Sequence, residues 1–308
     1  MRIINLKKPH RYKLKRAVVA IGVFDGVHRG HQELIRKTIK EAKKIHGTSV
    51  AMTFWPHPEY VLRPHQKLSL LVSLPYRLKL LERLGVDVCF VIPFTKSFSQ
   101  LSPQEFIERY LLHVVDPEEV FVGYDFRFGQ DRKGDFEIFQ KIGKRYGFRV
   151  NEVRAVKDHQ WVISSSVIRQ LIMNGQLEEA SHFLGRPVSI LGIVRRGQGR
   201  GRKLGFPTAN INPHNEMIPP RGVYAVRVMI DNKKFLGMAN IGFRPSFSRQ
   251  QDMNIEVHIF DFRKNIYHQT LIIEFMKKIR EEKFFHSPDQ LAHQLRHDEK
   301  TARRLLSW

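Results

Sequence analysis

Two observations predict an α/β domain followed by an antiparallel β-barrel. Over residues 1–185 short apolar runs alternate with helical patterns, the order expected of a parallel sheet with crossover helices. Over residues 186–308 strand-like runs follow one another through turn material, with no helix before the last segment, as in a closed antiparallel barrel. A length of 308 residues accommodates both domains. The boundary is expected at Leu184-Gly185-Arg186-Pro187.

In the first half, Ala17–Ile21, Ser49–Phe54, Val86–Ile92 and Val120–Val122 are near-continuously apolar, as strands covered on both faces should be. Between them, His31–Ile45 places Leu34, Ile35 and Ile39 on one helical face, and Pro75–Leu84 reads as a second helix. Pro103–His113 opens on the start signal Ser102-Pro103, and Asp135–Tyr146 is a fourth helix. Cys89, the single cysteine, lies inside an apolar run and is expected to be an inert core thiol. In the second half the strands are Val188–Val194, Tyr224–Ile230, Phe235–Asn240, Asn254–Phe260 and Leu271–Met276; Pro288–Leu306 closes the chain as a helix. Residues 186–308 are therefore expected to fold alone.

Composition narrows the function classes. Hydrophobic residues make up 42% and charged residues 27%, enough apolar content for a core. No apolar run approaches the ~20 residues of a membrane span, and Met1 to Arg16 lacks the apolar stretch of a secretory signal, so a cytoplasmic protein without a membrane partner is expected. The net charge of +22 fits either nucleic-acid binding or a basic enzyme with anionic substrates. Residues 1–185 carry 30 basic against 19 acidic side chains and residues 186–308 carry 22 against 11, a net +11 in each part. Charge spread this evenly argues against a specific nucleic-acid partner.

Two segments carry chemistry. Gly22-Val23-Phe24-Asp25-Gly26-Val27-His28-Arg29-Gly30-His31 follows the first strand and opens the first helix, where ligands of open α/β sheets bind and free N–H groups meet phosphate. His28 and His31, three apart, face one way and can donate to a triphosphate; a metal pair or plain helix capping are the alternatives. Gly197-Gln198-Gly199-Arg200-Gly201-Arg202-Lys203-Leu204-Gly205-Phe206-Pro207-Thr208-Ala209-Asn210 alternates glycines with cations, yet contains no Walker A motif, so a flexible basic linker is its plain alternative. Thr208 and Asn210 alternate in an extended segment and present two oxygen donors to one side. Glu256 shares a strand face with His258, opposite Val257 and Ile259; strand glutamates usually just face solvent.

The H-x-G-H element resembles the nucleotidyltransferase signature, and G-V-F-D-G-V-H-R-G-H resembles the adenylyltransferase module of bacterial FAD synthetases. Thr53-Phe54-Trp55-Pro56-His57-Pro58, Val122 to Gly129 and Ile163-Ser164-Ser165-Ser166-Val167-Ile168-Arg169 resemble three further family segments, with Trp55 and Ser166 as departures. G-R-K-L-G-F-P-T-A-N, Gly222-Val223-Tyr224-Ala225, Ile241 to Phe247 and the E-x-H element at Glu256 resemble riboflavin kinases; His268 stands where that family commonly has Gly.

The resemblance to the bacterial bifunctional riboflavin kinase/FMN adenylyltransferases covers nearly the whole chain. It implies a Rossmann-like nucleotidyltransferase domain over 1–185 and a β-barrel riboflavin kinase domain with a closing helix over 186–308. It implies phosphorylation of riboflavin to FMN by ATP, then adenylylation of FMN to FAD with release of pyrophosphate. Gly22, Phe24, Asp25, Gly26, Gly30, Asp125, Ser165, Ser166 and Arg169 would then contact ATP around His28 and His31. In the kinase, Gly199, Arg200, Gly201, Lys203, Gly205 and Pro207 would contact ATP, Thr208 and Asn210 would hold Mg²⁺, and Glu256 would be the base. A monomer or weak homo-oligomer is expected. The rivals are another nucleotidyltransferase, which leaves the second half unused, and an RNA-binding protein using the charge. If the missing Gly at 268 serves a positive φ, His268 carries strain.

Overall fold

The computed structural model describes every residue except 67, 198–199, 214–216, 232, 244–252 and 308, and every described side chain except those of 200, 203, 243 and 253. The chain divides into two compact units. Met1–Ser69 with Leu74–Ser165 forms the first, and Leu70–Ser73 with Ser166–Trp308 the second. This division falls twenty residues ahead of the expected boundary at 185.

The first unit is built on six parallel strands: β1 Arg2–Asn5, β2 Ala17–Ile21, β3 Ser49–Trp55, β4 Val88–Pro93, β5 Pro117–Gly123 and β6 Arg149–Val153, in the order β1-β4-β3-β2-β5-β6. Every residue of β2 is buried, which explains its unbroken apolar reading. Helix α1 (Arg29–Lys44) buries Leu34, Ile35, Thr38, Ile39 and Ala42, the stripe its periodicity predicts. The other helices are α2 (Pro58–Leu62), α3 (Leu74–Leu84), α4 (Lys96–Ser99), α5 (Pro103–Phe106) and α6 (Phe136–Tyr146), and a hairpin pairs β7 (Lys157–Asp158) with β8 (Trp161–Val162). The helix expected over Pro103–His113 is α only to Phe106. Residues Ile107–Leu112 continue it as a π-helix, with His113 N–H bonding the Glu108 carbonyl at 3.0 Å. No residue there breaks a helix, so periodicity could not reveal the wider turn. Because β3 lies on one side of β2 and β5 on the other, the strand order reverses at β2, and the loops after β2 and β5 flank the crevice where such sheets bind ligands.

The second unit is a closed antiparallel barrel in the order β10-β13-β12-β11-β14-β9. Its strands are β9 Val188–Arg195, β10 Ala209–Asn212, β11 Gly222–Ile230, β12 Lys233–Phe243, β13 Met253–Ile259 and β14 Thr270–Arg280. Five were expected; the four-residue β10, inside the glycine-rich stretch, was not. Helix α7 (Ser165–Met173) begins where Ser164–Ser166 offered a helix N-cap, α8 (Leu177–Leu184) and α9 (Arg200–Lys203) escaped the sequence reading, and α10 (Pro288–Leu306) has the bounds expected of it. Leu177, Ala180, Phe183 and Leu184 of α8 are buried, and the helix packs on β9 and β14. Helix α10 joins Ala302 and Leu306 to Phe206, Met238 and Phe260 in one apolar cluster. It is fastened by Arg280, which donates to both oxygens of the fully buried Asp298 at 2.7–3.0 Å.

Candidate active sites

The loop from β2 to α1 is compact and largely buried. Phe24 (φ 55°), Gly26 (φ 82°) and Val27 (φ 42°) adopt left-handed backbone. For Phe24 and Val27 this costs on the order of 1–3 kcal/mol each, and both are held in place by burial at 0% and 1% exposure. Gly22 must lack a side chain, since a Cβ there would meet the Phe24 ring at 2.9 Å. Thr53 at the end of β3 donates its hydroxyl to the Val23 carbonyl at 2.9 Å, and Ser165 donates to the Asp25 carbonyl at 2.9 Å. Asp25 is buried.

His28 is the N-cap of α1; its Nδ1 accepts from the His31 backbone N–H at 3.4 Å. A ring accepting at Nδ1 carries its proton on Nε2 and can donate there. The two imidazoles stack with centroids 3.6 Å apart, and His31 meets the Phe24 ring edge-on. Helix capping and phosphate binding, alternatives in the sequence, are thus compatible: His28 caps with one nitrogen and keeps the other. Gly30 gives the His28 ring its room, a Cβ there standing 3.2 Å from that ring. Among the described residues no group of three or more His, Cys, Asp or Glu is placed to hold a metal.

Asp125 is exposed in the turn after β5, at the same carboxyl edge of the sheet as the histidine loop. Ser165 starts α7 and belongs to the first unit; Ser166, exposed, and Arg169, half-buried, follow on that helix in the second. Trp55 ends β3, 37% exposed, beside a cis bond to Pro56; nothing around it explains the departure. A residue the sequence did not single out is Arg77 of α3, fully buried and donating from Nη1 to Thr53 Oγ1 (3.2 Å) and the Phe54 carbonyl (3.3 Å).

The second constellation centres on Glu256 of β13. Asn210 of β10 and Asn240 of β12 are its register partners on either side. Thr208 donates to Glu256 Oε2 at 3.2 Å and Asn254 to Oε1 at 2.8 Å, so the carboxylate is clamped by two donors. His258, on the same face, bonds the Pro207 carbonyl through Nδ1 at 2.8 Å. Val257 and Ile259 are buried on the opposite face, as alternation predicts. Asn240 was missed because strand pairing is not legible locally; Asn254, two residues before Glu256 on β13, lies on the same strand face and alternation could have found it.

Three of the motif's glycines have distinct tasks. Gly197 admits the Asn210 amide, 2.0 Å from where its Cβ would be; Gly201 admits the Phe206 carbonyl at 2.3 Å; Gly205 has φ 84°. At Gly197 and Gly201 the space is filled by the chain itself, and hydrogen bonds from Leu204 and Phe206 N–H to Gly201 O make the segment a folded loop. Gly199 lies outside the described residues, as do the side chains of Arg200 and Lys203 and the segment Arg244-Pro245-Ser246-Phe247. A cavity of about 310 Å³ opens beside the loop, walled by Arg202, Pro207, Thr208, Val257, Arg263 and Tyr267. Thr208 touches both this cavity and Glu256. His268 has φ 66°, the strained position expected of a residue standing for glycine, with its N–H on the Val194 carbonyl at 2.9 Å.

Residues 10–167 match the family model described as FAD synthetase, and residues 184–306 the one described as riboflavin kinase. The bifunctional riboflavin kinase/FMN adenylyltransferase of Bacillus subtilis (strain 168) is 37% identical over 100% of this chain and 99% of its own length. Those of Listeria monocytogenes and Escherichia coli (strain K12) are 40% and 38% identical, each over 93% of this chain and 91% of theirs. A crystal structure described as a macrolide-efflux protein from Streptococcus pneumoniae has a TM-score of 0.86 at 35% identity, covering 98% of this chain and 99% of that one. The efflux description belongs to that protein; among the described residues here no helix is long and apolar enough to cross a membrane.

Proposed function

The chain belongs to the bifunctional riboflavin kinase/FMN adenylyltransferase family, an enzyme of FAD biosynthesis with riboflavin, FMN and ATP as substrates, and from that premise we propose which residues carry each step. We assign adenylylation to residues 1–185 and riboflavin phosphorylation to residues 186–308.

In the kinase, the ribityl 5′-hydroxyl gives its proton to Glu256 while its oxygen bonds the γ-phosphorus of ATP and ADP leaves. The observation carrying this reading is the clamp on Glu256: two donors leave carboxylate lone pairs for a third, the substrate hydroxyl. In this assignment Gly199, Arg200, Gly201, Lys203, Gly205 and Pro207 contact the ATP phosphates, and Pro207 also lines the 310 Å³ cavity. Thr208 and Asn210 would hold Mg²⁺. The donor set fits, because Thr208 keeps oxygen lone pairs while donating to Glu256, and Mg²⁺ accepts few protein oxygens when phosphates supply the others. When bound, the ion neutralises phosphate charge.

In the adenylyltransferase, an FMN phosphate oxygen bonds the α-phosphorus of ATP and pyrophosphate departs. The attacking phosphate is already ionised, so no general base is required. His28 and His31 donate to the phosphates, Gly22, Phe24, Asp25, Gly26 and Gly30 shape the loop around them, and Ser165, Ser166 and Arg169 hold the triphosphate. Asp125 borders the nucleotide or flavin. A cytoplasmic setting, a monomer or weak homo-oligomer, and no specific nucleic-acid partner complete the reading; submicromolar binding to one nucleic-acid sequence at physiological salt would contradict the last point.

Product analysis from riboflavin and from FMN tests the assignment. Glu256→Gln keeps shape and loses the proton acceptor, so FMN formation should fall by about 10²–10⁴-fold while supplied FMN still becomes FAD. His28→Ala with His31→Ala should accumulate FMN. A folded variant losing both activities would refute two separate sites.

A further inference from the structure

Arg77 is a buried cation that neither proposed step uses. It lies in α3 at 0% exposure, among the largest fully buried side chains. One of its nitrogens, Nη1, bonds Thr53 Oγ1 and the Phe54 carbonyl, while Nε and Nη2 are buried with no hydrogen-bond partner among the described residues. Burial pulls the guanidinium below its usual range, and the nearby charge of Asp25 works against that pull. Packing alone does not call for such a group. An apolar side chain of similar length fills the same space without desolvating a charge.

The contacts lead toward the histidine loop. Thr53 takes a hydrogen bond from Arg77 and passes its own to the Val23 carbonyl. Val23 precedes Phe24, the first left-handed residue of the loop, and Asp25, the charge that acts on Arg77, follows it. Loop residues in sparsely populated backbone conformations persist only where their surroundings over-determine them. Thr53 and Arg77 provide that constraint from beneath the loop, while Ser165 anchors it at Asp25.

We propose that Arg77 is a positioning residue for adenylylation, holding the Val23–Asp25 segment in its reactive shape through the Thr53 hydroxyl. The proposal rests on reading this loop as the phosphate site of the adenylyltransferase.

The test uses the full-length enzyme, with FMN-to-FAD and riboflavin-to-FMN rates measured on each preparation alongside thermal unfolding. Arg77→Met is expected to lower kcat for FAD formation by up to about 10²-fold, the scale of a loop displaced by an ångström. KM for FMN and the riboflavin kinase rate should not change, and the unfolding midpoint should stay level or rise. Arg77→Lys, keeping the charge, should recover part of the loss. Thr53→Val should reproduce it in a protein that retains Arg77, and the double variant should be no worse than Arg77→Met alone. Should Arg77→Met not fold, the Thr53→Val rate decides. Wild-type FAD formation in Arg77→Met or Thr53→Val, or strictly additive losses, would overturn the proposal. A lowered unfolding midpoint with wild-type kcat would make Arg77 structural only. The His28→Ala, His31→Ala variant separates the two ideas: if it still makes FAD, the loop reading fails; if it does not and Arg77→Met does, only the role of Arg77 fails.

Discussion

Gly30 shows how closely the histidine loop is fitted. An added Cβ would sit 3.2 Å from two atoms of the His28 ring, so that ring must give by a few tenths of an ångström. Gly30→Ala should therefore slow FAD formation and leave FMN formation alone, measured by the same product analysis. Cys89 shows the reverse, a residue insulated from chemistry. It is fully buried, and burial pushes its thiol up to about 12, with Arg77 opposing. The thiolate is the reactive form, so iodoacetamide at pH 8 should leave native protein unlabelled by mass spectrometry and label it once after denaturation. At this scale the sequence was most legible where chemistry is contiguous: His28 to His31 on one turn, Glu256 alternating with Val257 and Ile259. It was silent on Arg77 and Asn240, because their partners lie on other elements and no local spacing encodes them; Asn254, two residues before Glu256 on the same strand, was within reach of alternation and was overlooked.

Among the elements, those with strong periodicity or capping signals were legible. Ser102 and Glu105 form a reciprocal capping box, and Asp135 caps α6 through the Ile138 N–H. Short or half-polar strands were not: β6 reads Arg-Val-Asn-Glu-Val, and β10 hides among glycines and prolines. Helix α10 had clear bounds, but its fastening is tertiary. Asp298→Ala would strand Arg280 beside an apolar cluster, and losing one partner of a buried pair costs about 3–5 kcal/mol. Thermal unfolding should show that loss, with kinase activity falling at temperatures where FAD formation from FMN persists. The same helix has an exposed tether. Hydrogen bonds from Arg303 hold the Asp261 carboxyl below its usual range. A lowered folded value makes the contribution present above the unfolded value of about 4 and lost as pH falls. The gap in unfolding midpoint between wild type and Asp261→Asn should accordingly close on acidification; a gap unchanged at low pH would contradict the tether. Asparagine tolerates the left-handed backbone at 261 (φ 56°), so strain does not confound the comparison.

The whole molecule divides into two compact units after Ser165, while the boundary expected from sequence lies at 185. Leu184-Gly185-Arg186-Pro187 looks like a linker, and Gly185 is indeed a left-handed helix cap. What composition could not show is that the apolar face of α8 is spent on β9 and β14. A fragment of residues 186–308 should therefore unfold at lower temperature than one of 166–308, as calorimetry of the two would show; equal midpoints would make α8 dispensable. The second unit also takes in Leu70–Ser73, where the Met217 N–H meets the Leu70 carbonyl at 2.5 Å. Those partners are 147 residues apart, and a ribosome adding about 5–20 residues per second needs roughly 7–30 s to make the second after the first. For that interval Leu70, Leu71 and Val72 stand without their final cover on a nascent chain, so an early-made strip of the second unit becomes safe from aggregation and proteolysis only when the late part of that unit is complete.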